Sequence, residues 1–173
     1  MANKIESMVL NIFSMSDETW QRHTNPWSVW TRFSVLPLLI VAIWSRVWID
    51  WWSLVPITLA VIWAWYNPRI FKIPKSSSNW ASMSVLGERV WLNRNNISVP
   101  VHHKIMPNIL NIVAMIGLTF IVWGIWMLNI WAMFSGCIIV YAGKLWFLDR
   151  MVWLYRDMKK HPEYVSWLCN EEI

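Results

Sequence analysis

Hydrophobic residues gather along this chain in four runs, at about 26–48, 51–66, 107–128 and 130–147, and nearly every charged residue lies outside them. Each run approaches the ~20 residues that cross the apolar core of a bilayer as a helix. Elsewhere the pattern becomes one-sided. Ile5, Met8, Val9, Ile12 and Phe13 share one helical face, as do Trp80, Met83, Gly87, Val90 and Trp91, so both segments are expected in an interface plane or against a bundle. Residues 148–158 keep a helical pattern with Met151, Val152, Trp153, Leu154 and Tyr155 too apolar for water, which extends the fourth run beyond the membrane. The expected fold is an all-α membrane protein, with four transmembrane helices in two tight hairpins and amphipathic interfacial helices on one side. It forms a single integral-membrane domain over residues 1–173, capped by 1–25, 67–106 and 148–173.

Boundary residues sharpen this outline. Asn25-Pro26 reads as the N-cap and first-turn proline of the first span, Asn67-Pro68 as the close of the second, and Asn79 as the cap of the amphipathic run that follows. Pro37 and Pro56 fall inside spans and predict kinks. The segment Lys72-Ile73-Pro74-Lys75-Ser76-Ser77-Ser78 reads as a flexible linker. In the third and fourth spans, Gly117 and Gly124 are seven residues apart, as are Gly136 and Gly143, a spacing that returns to nearly the same helix face. A turn at residue 130 sets Gly124 level with Gly136 and Gly117 level with Gly143, where small residues let two backbones approach in lipid.

Composition supports lipid as the solvent. Of 173 residues, 57% are hydrophobic and only 14% charged, too few to cover a soluble globule of this size. The net charge of +5 adds direction: fourteen of the fifteen Lys and Arg residues fall on one side of the four spans, and only Arg46 on the other. Basic residues accumulate in loops that stay cytoplasmic, so both termini are expected inside, in the cytoplasmic (inner) membrane. Membrane lipids and a second membrane protein are then the expected partners, and nucleic acid is not. Arg46 and Asp50, four apart at the outer turn, pair if the helix continues between them. Fifteen of the seventeen tryptophans fall into an outer group that includes Trp48, Trp51, Trp52, Trp126 and Trp131 and an inner group that includes Trp27, Trp30, Trp80, Trp91 and Trp153. Two such belts suit a chain whose ends and turns meet two interfaces. The amino terminus shows no cleavable signal pattern.

The strings His23-Thr24-Asn25-Pro26-Trp27-Ser28-Val29-Trp30-Thr31-Arg32, Asn67-Pro68-Arg69, Asn79-Trp80-Ala81-Ser82, Gly87-Glu88-Arg89-Val90-Trp91-Leu92 and Leu148-Asp149-Arg150-Met151-Val152-Trp153-Leu154 resemble a family of small prokaryotic multi-pass membrane proteins catalogued as a domain of unknown function. The resemblance covers about residues 20–158. It implies fold and membrane residence, and no activity.

Candidate chemistry therefore rests on the polar residues at the inner boundary. Glu88, Asp149, His23 and His103 are the candidate acid, base or ligand groups, and Arg32, Arg69, Lys72, Arg89 and Arg94 the candidate contacts for lipid phosphates or another anion. Ionisable groups at membrane depth are costly unless paired, which makes them either a salt-bridge network or a site. No metal site and no cofactor are expected: metal-ligand spacings such as H-E-x-x-H or C-x-x-C are missing, and adjacent His102 and His103 diverge by ~100° on a helix. Cys137 lies within the fourth span and Cys169 in the tail, so neither pairs. The expected function is that of a non-catalytic lipid-binding or accessory subunit of a membrane complex. The alternative is a membrane-interface enzyme or cofactor-binding protein acting on a lipidic substrate through the His/Glu/Asp/Arg cluster.

Overall fold

The computed structural model describes residues 16–165, whose regular elements are all helices, with no strand among them. The amphipathic face at residues 5–13 and the tail around Cys169 lie outside the described residues. Helices α1 (Asp17–His23), α2 (Pro26–Arg32), α3 (Val35–Trp44), α4 (Arg46–Ile49) and α5 (Leu54–Ile70) lead to α6 (Trp80–Leu92), α7 (Met106–Trp126), α8 (Ile130–Met158) and the short α9 (Pro162–Val165). Three stretches are long and apolar enough to cross a membrane: Pro26–Ile70, Val101–Trp126 and Ile130–Met158.

The first of these is not one rod. Trp63 Nε1 donates to Ser34 Oγ at 3.3 Å, Asn67 Nδ2 to Thr31 Oγ1 at 2.7 Å and Asn25 Nδ2 to Lys72 O at 2.9 Å. All three pairs are symmetric about Trp48 and Ile49, so α2 and α3 run antiparallel to α5 and the chain reverses through residues 45–53. Asp50 makes that reversal with φ 47°, a left-handed conformation that ends α4. This breaks the expected Arg46–Asp50 pair, which needed a continuous helix. Arg46 instead donates to Ile125 O at 2.8 Å, joining the first turn to the far end of α7.

Proline placement also differs from expectation. Pro37 and Pro56 each occupy the third position of a helix that restarts after an interruption: the run from Pro26 breaks at Phe33 and Ser34, and the 3-10 turn Asp50–Ser53 precedes Leu54, so the expected bends lie in the turn before each proline. Asn67-Pro68 does not close α5, which continues to Ile70. The buried Asn67 side chain is used in packing against α2 instead of capping. The expected caps at Asn25 and Asn79 do form, accepting from Trp27 N at 3.0 Å and Ser82 N at 2.9 Å.

Helices α7 and α8 approach at backbone distance. A Cβ added to Gly136 would lie 2.7 Å from Gly117 O, and one added to Gly124 would lie 2.5 Å from Met133 N. Gly143 faces Leu110 O and Ala114, 3.2 Å from the first. Gly117 is therefore level with Gly136, and the expected pairings of Gly124 with Gly136 and Gly117 with Gly143 are out of register. The turn closes earlier than residue 130: Leu128 takes φ 52°, and Asn129 caps α8 by accepting from Trp131 N at 3.0 Å and Ala132 N at 3.1 Å.

Beyond this pair, α8 continues without interruption to Met158, and α6 crosses it so closely that a Cβ on Gly87 would overlap the Met151 carbonyl. Val90, Trp91, Phe147, Leu148, Met151, Leu154 and Tyr164 form the core of this cap. Each fully buried side chain of that kind contributes about 1.5–3 kcal/mol. The opposite end is apolar and open, with Trp51 and Trp126 both 78% exposed. Trp91, grouped by sequence with the inner aromatic belt, is buried in the cap core instead.

Candidate functional site

Between α2, α3 and α5 on one side and α6, α7 and α8 on the other lies a cavity of about 590 Å³. Its walls are largely apolar, with Leu36, Leu39, Ala64, Val140 and Phe147 among them, and its polar groups are His23, Arg32, Glu88, Asn111, Tyr141 and Lys144. Local sequence places each group. Ser16 caps α1, the break at Thr24-Asn25 turns the chain, and Asn25 with Pro26 restarts it as α2. His23 at the end of α1 therefore faces Ser28 and Arg32, one and two turns into the next helix.

The hydrogen bonds here have a determined direction. Arginine can only donate, so Arg32 NH1 donates to His23 Nε2 at 2.7 Å, and His23 Nδ1–H donates to Ser28 Oγ at 2.8 Å. Ser28 Oγ donates to Asn67 Oδ1 at 3.2 Å, Asn67 Nδ2 to Thr31 Oγ1, and Thr31 Oγ1 to Trp27 O at 2.5 Å. Each member satisfies the next, and the imidazole must be neutral to fit. Burial and then the Arg32 charge push the His23 pKa down to about 3.

Glu88 projects from α6 and accepts from Lys144 Nζ at 2.9 Å. Burial alone would raise its pKa, but the Lys144 charge and hydrogen bond, followed by the charge of Arg32, outweigh that and hold the carboxyl below the usual range. Tyr141 OH donates to Phe33 O at 2.6 Å across the cavity wall. With His23 neutral, Arg32 and Lys144 against Glu88 leave the polar end with one net positive charge.

The sequence candidates do not all meet here. His23, Arg32 and Glu88 do. Asp149 instead accepts from Trp80 Nε1 at 3.3 Å, and His103 points at Asp157, so the acid, base and ligand set His23, Glu88, His103 and Asp149 is not one site. Arg89 bonds Asp17, Arg94 lies over the Trp91 ring at 4.3 Å, and Arg69 lies over Trp65 at 3.9 Å, while Lys72 is exposed. Gly117, Gly124, Gly136 and Gly143 all lie at the α7–α8 contact.

Sequence reasoning missed Lys144, Ser28, Asn67, Asn111 and Tyr141. Lys144 carried a usable signal as the one basic residue inside the 130–147 run, where an ionisable group marks a site or a pair. Ser28 and Asn67 had none beyond their polarity. The expected divergence of His102 and His103 also fails. They lie in the 3-10 turn Val101–His103, and side-chain rotation brings both rings onto Asp157 Oδ2, with centroids 4.2 Å apart.

The family described as Family of unknown function (DUF6653) matches residues 4–168. No curated protein and no solved structure matches the chain.

Proposed function

The chain belongs to that family of unknown function, and we propose that it is a four-span protein of the cytoplasmic membrane that binds an amphiphile with an anionic headgroup, a membrane lipid, without catalysis of its own. The four spans are α2 with α3, α5, α7 and the first two-thirds of α8, arranged as two hairpins. The basic cap faces the cytoplasm by the charge asymmetry of the loops.

The observation that carries the ligand is the cavity. Its volume falls in the ~300–1,000 Å³ range of small-molecule sites. Its apolar walls suit an acyl chain, where each buried methylene contributes about 0.8 kcal/mol. Arg32 and Lys144 at the polar end suit a phosphate or carboxylate. The same geometry argues against acid–base chemistry. Both ring nitrogens of His23 are engaged and Glu88 is held ionised by Lys144, so neither offers a proton acceptor tuned near neutral pH. A lipid-binding subunit of a membrane complex is the role that fits.

Native mass spectrometry of protein released gently from membranes tests this. Wild type should carry about one anionic lipid per chain. Ala64→Trp, whose indole projects into the cavity from its apolar wall, should weaken its retention, and Lys144→Met should lose the preference for anionic over zwitterionic lipid. Equal retention by wild type and both variants would remove the basis for the proposal.

A further inference from the structure

At the cap end, away from the cavity, the turn that leads into α7 meets the last turn of α8. His103 Nε2 lies 2.8 Å and His102 Nε2 3.2 Å from the same oxygen, Asp157 Oδ2, and all three candidate ligand atoms lie within 4.8 Å of one another. We propose that His102, His103 and Asp157 form a binding site for a divalent transition-metal ion of the zinc type.

The donor set is two imidazole nitrogens and one carboxylate oxygen, the mixture that zinc and its borderline neighbours take, and that calcium and magnesium do not. A tetrahedral ion with bonds of about 2.0–2.1 Å holds its donors roughly 3.3 Å apart. The two nitrogen-to-oxygen distances are already near that separation, so small rotations of the rings would admit the ion. The frame is fixed on one side and open on the other: His103 is buried, whereas His102 is exposed. Three protein donors leave a fourth position for water or an exogenous ligand, the arrangement of an open site, not a closed structural one. The ion would pin the segment before α7 to the end of α8. A pair of imidazoles donating to one carboxylate can hold these segments only while both Nε2 atoms carry protons, and the metal replaces that requirement with coordination.

The test uses the full chain in detergent, stripped with a chelator, and Zn²⁺ alone as the probe. Calorimetric titration should show one equivalent bound. Asp157→Asn should abolish the binding, and His102→Ala, at an exposed position that does not threaten the fold, should weaken it by at least tenfold. Cobalt substitution should give visible absorption bands of a nitrogen- and oxygen-ligated tetrahedral ion, absent in Asp157→Asn. Uptake well below one equivalent, or stoichiometric uptake that survives both substitutions, overturns the site and leaves the cluster as a hydrogen-bonded strut.

Discussion

Lowering the pH from 7 to 5 tests a buried histidine, His23, whose bonding is known. His23 must be neutral in the folded chain, because it accepts from Arg32 and donates to Ser28, and its pKa of about 3 lies below the 6.5 of the free side chain. A depressed histidine means that the unfolded chain binds more protons between those two values, so stability rises with pH across the window and falls as pH drops below about 6.5. With one pKa unit equal to about 1.4 kcal/mol, the loss between pH 7 and pH 5 is about 2 kcal/mol. For a chain of this length that is a fall in Tm of about 4–8 °C. Stopping at pH 5 keeps the scan above the range in which Glu88, also depressed, begins to contribute in the same direction. The assay is thermal unfolding followed by intrinsic tryptophan fluorescence in one detergent across the pH series, for wild type and His23→Gln. The variant, which cannot titrate, should start less stable at pH 7 and lose little more by pH 5. A flat wild-type profile, or a His23→Gln profile with the wild-type slope, would refute a neutral His23 held by its neighbours.

Gly87→Ala should destabilise by about 3 kcal/mol or more, since the new methyl meets the backbone of Met151, whereas Gly143→Ala, with its nearest neighbours just over 3 Å away, should change Tm far less. Equal effects at the two positions would show that the cap crossing is looser than described. Glu88→Gln should cost about 1 kcal/mol by leaving Lys144 without its counter-charge, and adding Lys144→Met should recover part of it; a double variant worse than the sum of the two would contradict a favourable Glu88–Lys144 pairing. Asn129→Ala removes a side-chain acceptor from two backbone N–H groups and should cost about 1 kcal/mol, read by the same thermal assay, with no change indicating that the turn holds α8 unaided.

The helices were legible in the sequence because lipid-length apolar runs and Asn caps are local signals. Asn25 and Asn79 cap helices as expected, and the glycines of α7 and α8 all face the contact between them. Register was not legible, since it depends on where a turn closes. The left-handed Leu128 shifted the glycine pairing, and the left-handed Asp50 sent Arg46 to Ile125. The site was half legible: ionisable residues in apolar surroundings drew attention to His23, Arg32 and Glu88, but the partner that fixes Glu88, Lys144, lies 56 residues further along and comes near only through the α6–α8 crossing. Asp149 looked equivalent to Glu88 in sequence. It meets Trp80 instead, because helical phase at that crossing turns it away from the cavity.

The contact between Gly87 and Met151 also sets an order of events during synthesis. The two residues are separated by 64 positions, so at ~5–20 residues per second α6 leaves the ribosome roughly 3–13 s before the turn of α8 that receives it. For that interval Val90 and Trp91 have no α8 to cover them, whereas Val85 can already pack against Val29 of α2. The cap therefore assembles last, as a latch. A nascent chain halted before Met151 would leave the face of α6 that meets that residue's carbonyl without its cover.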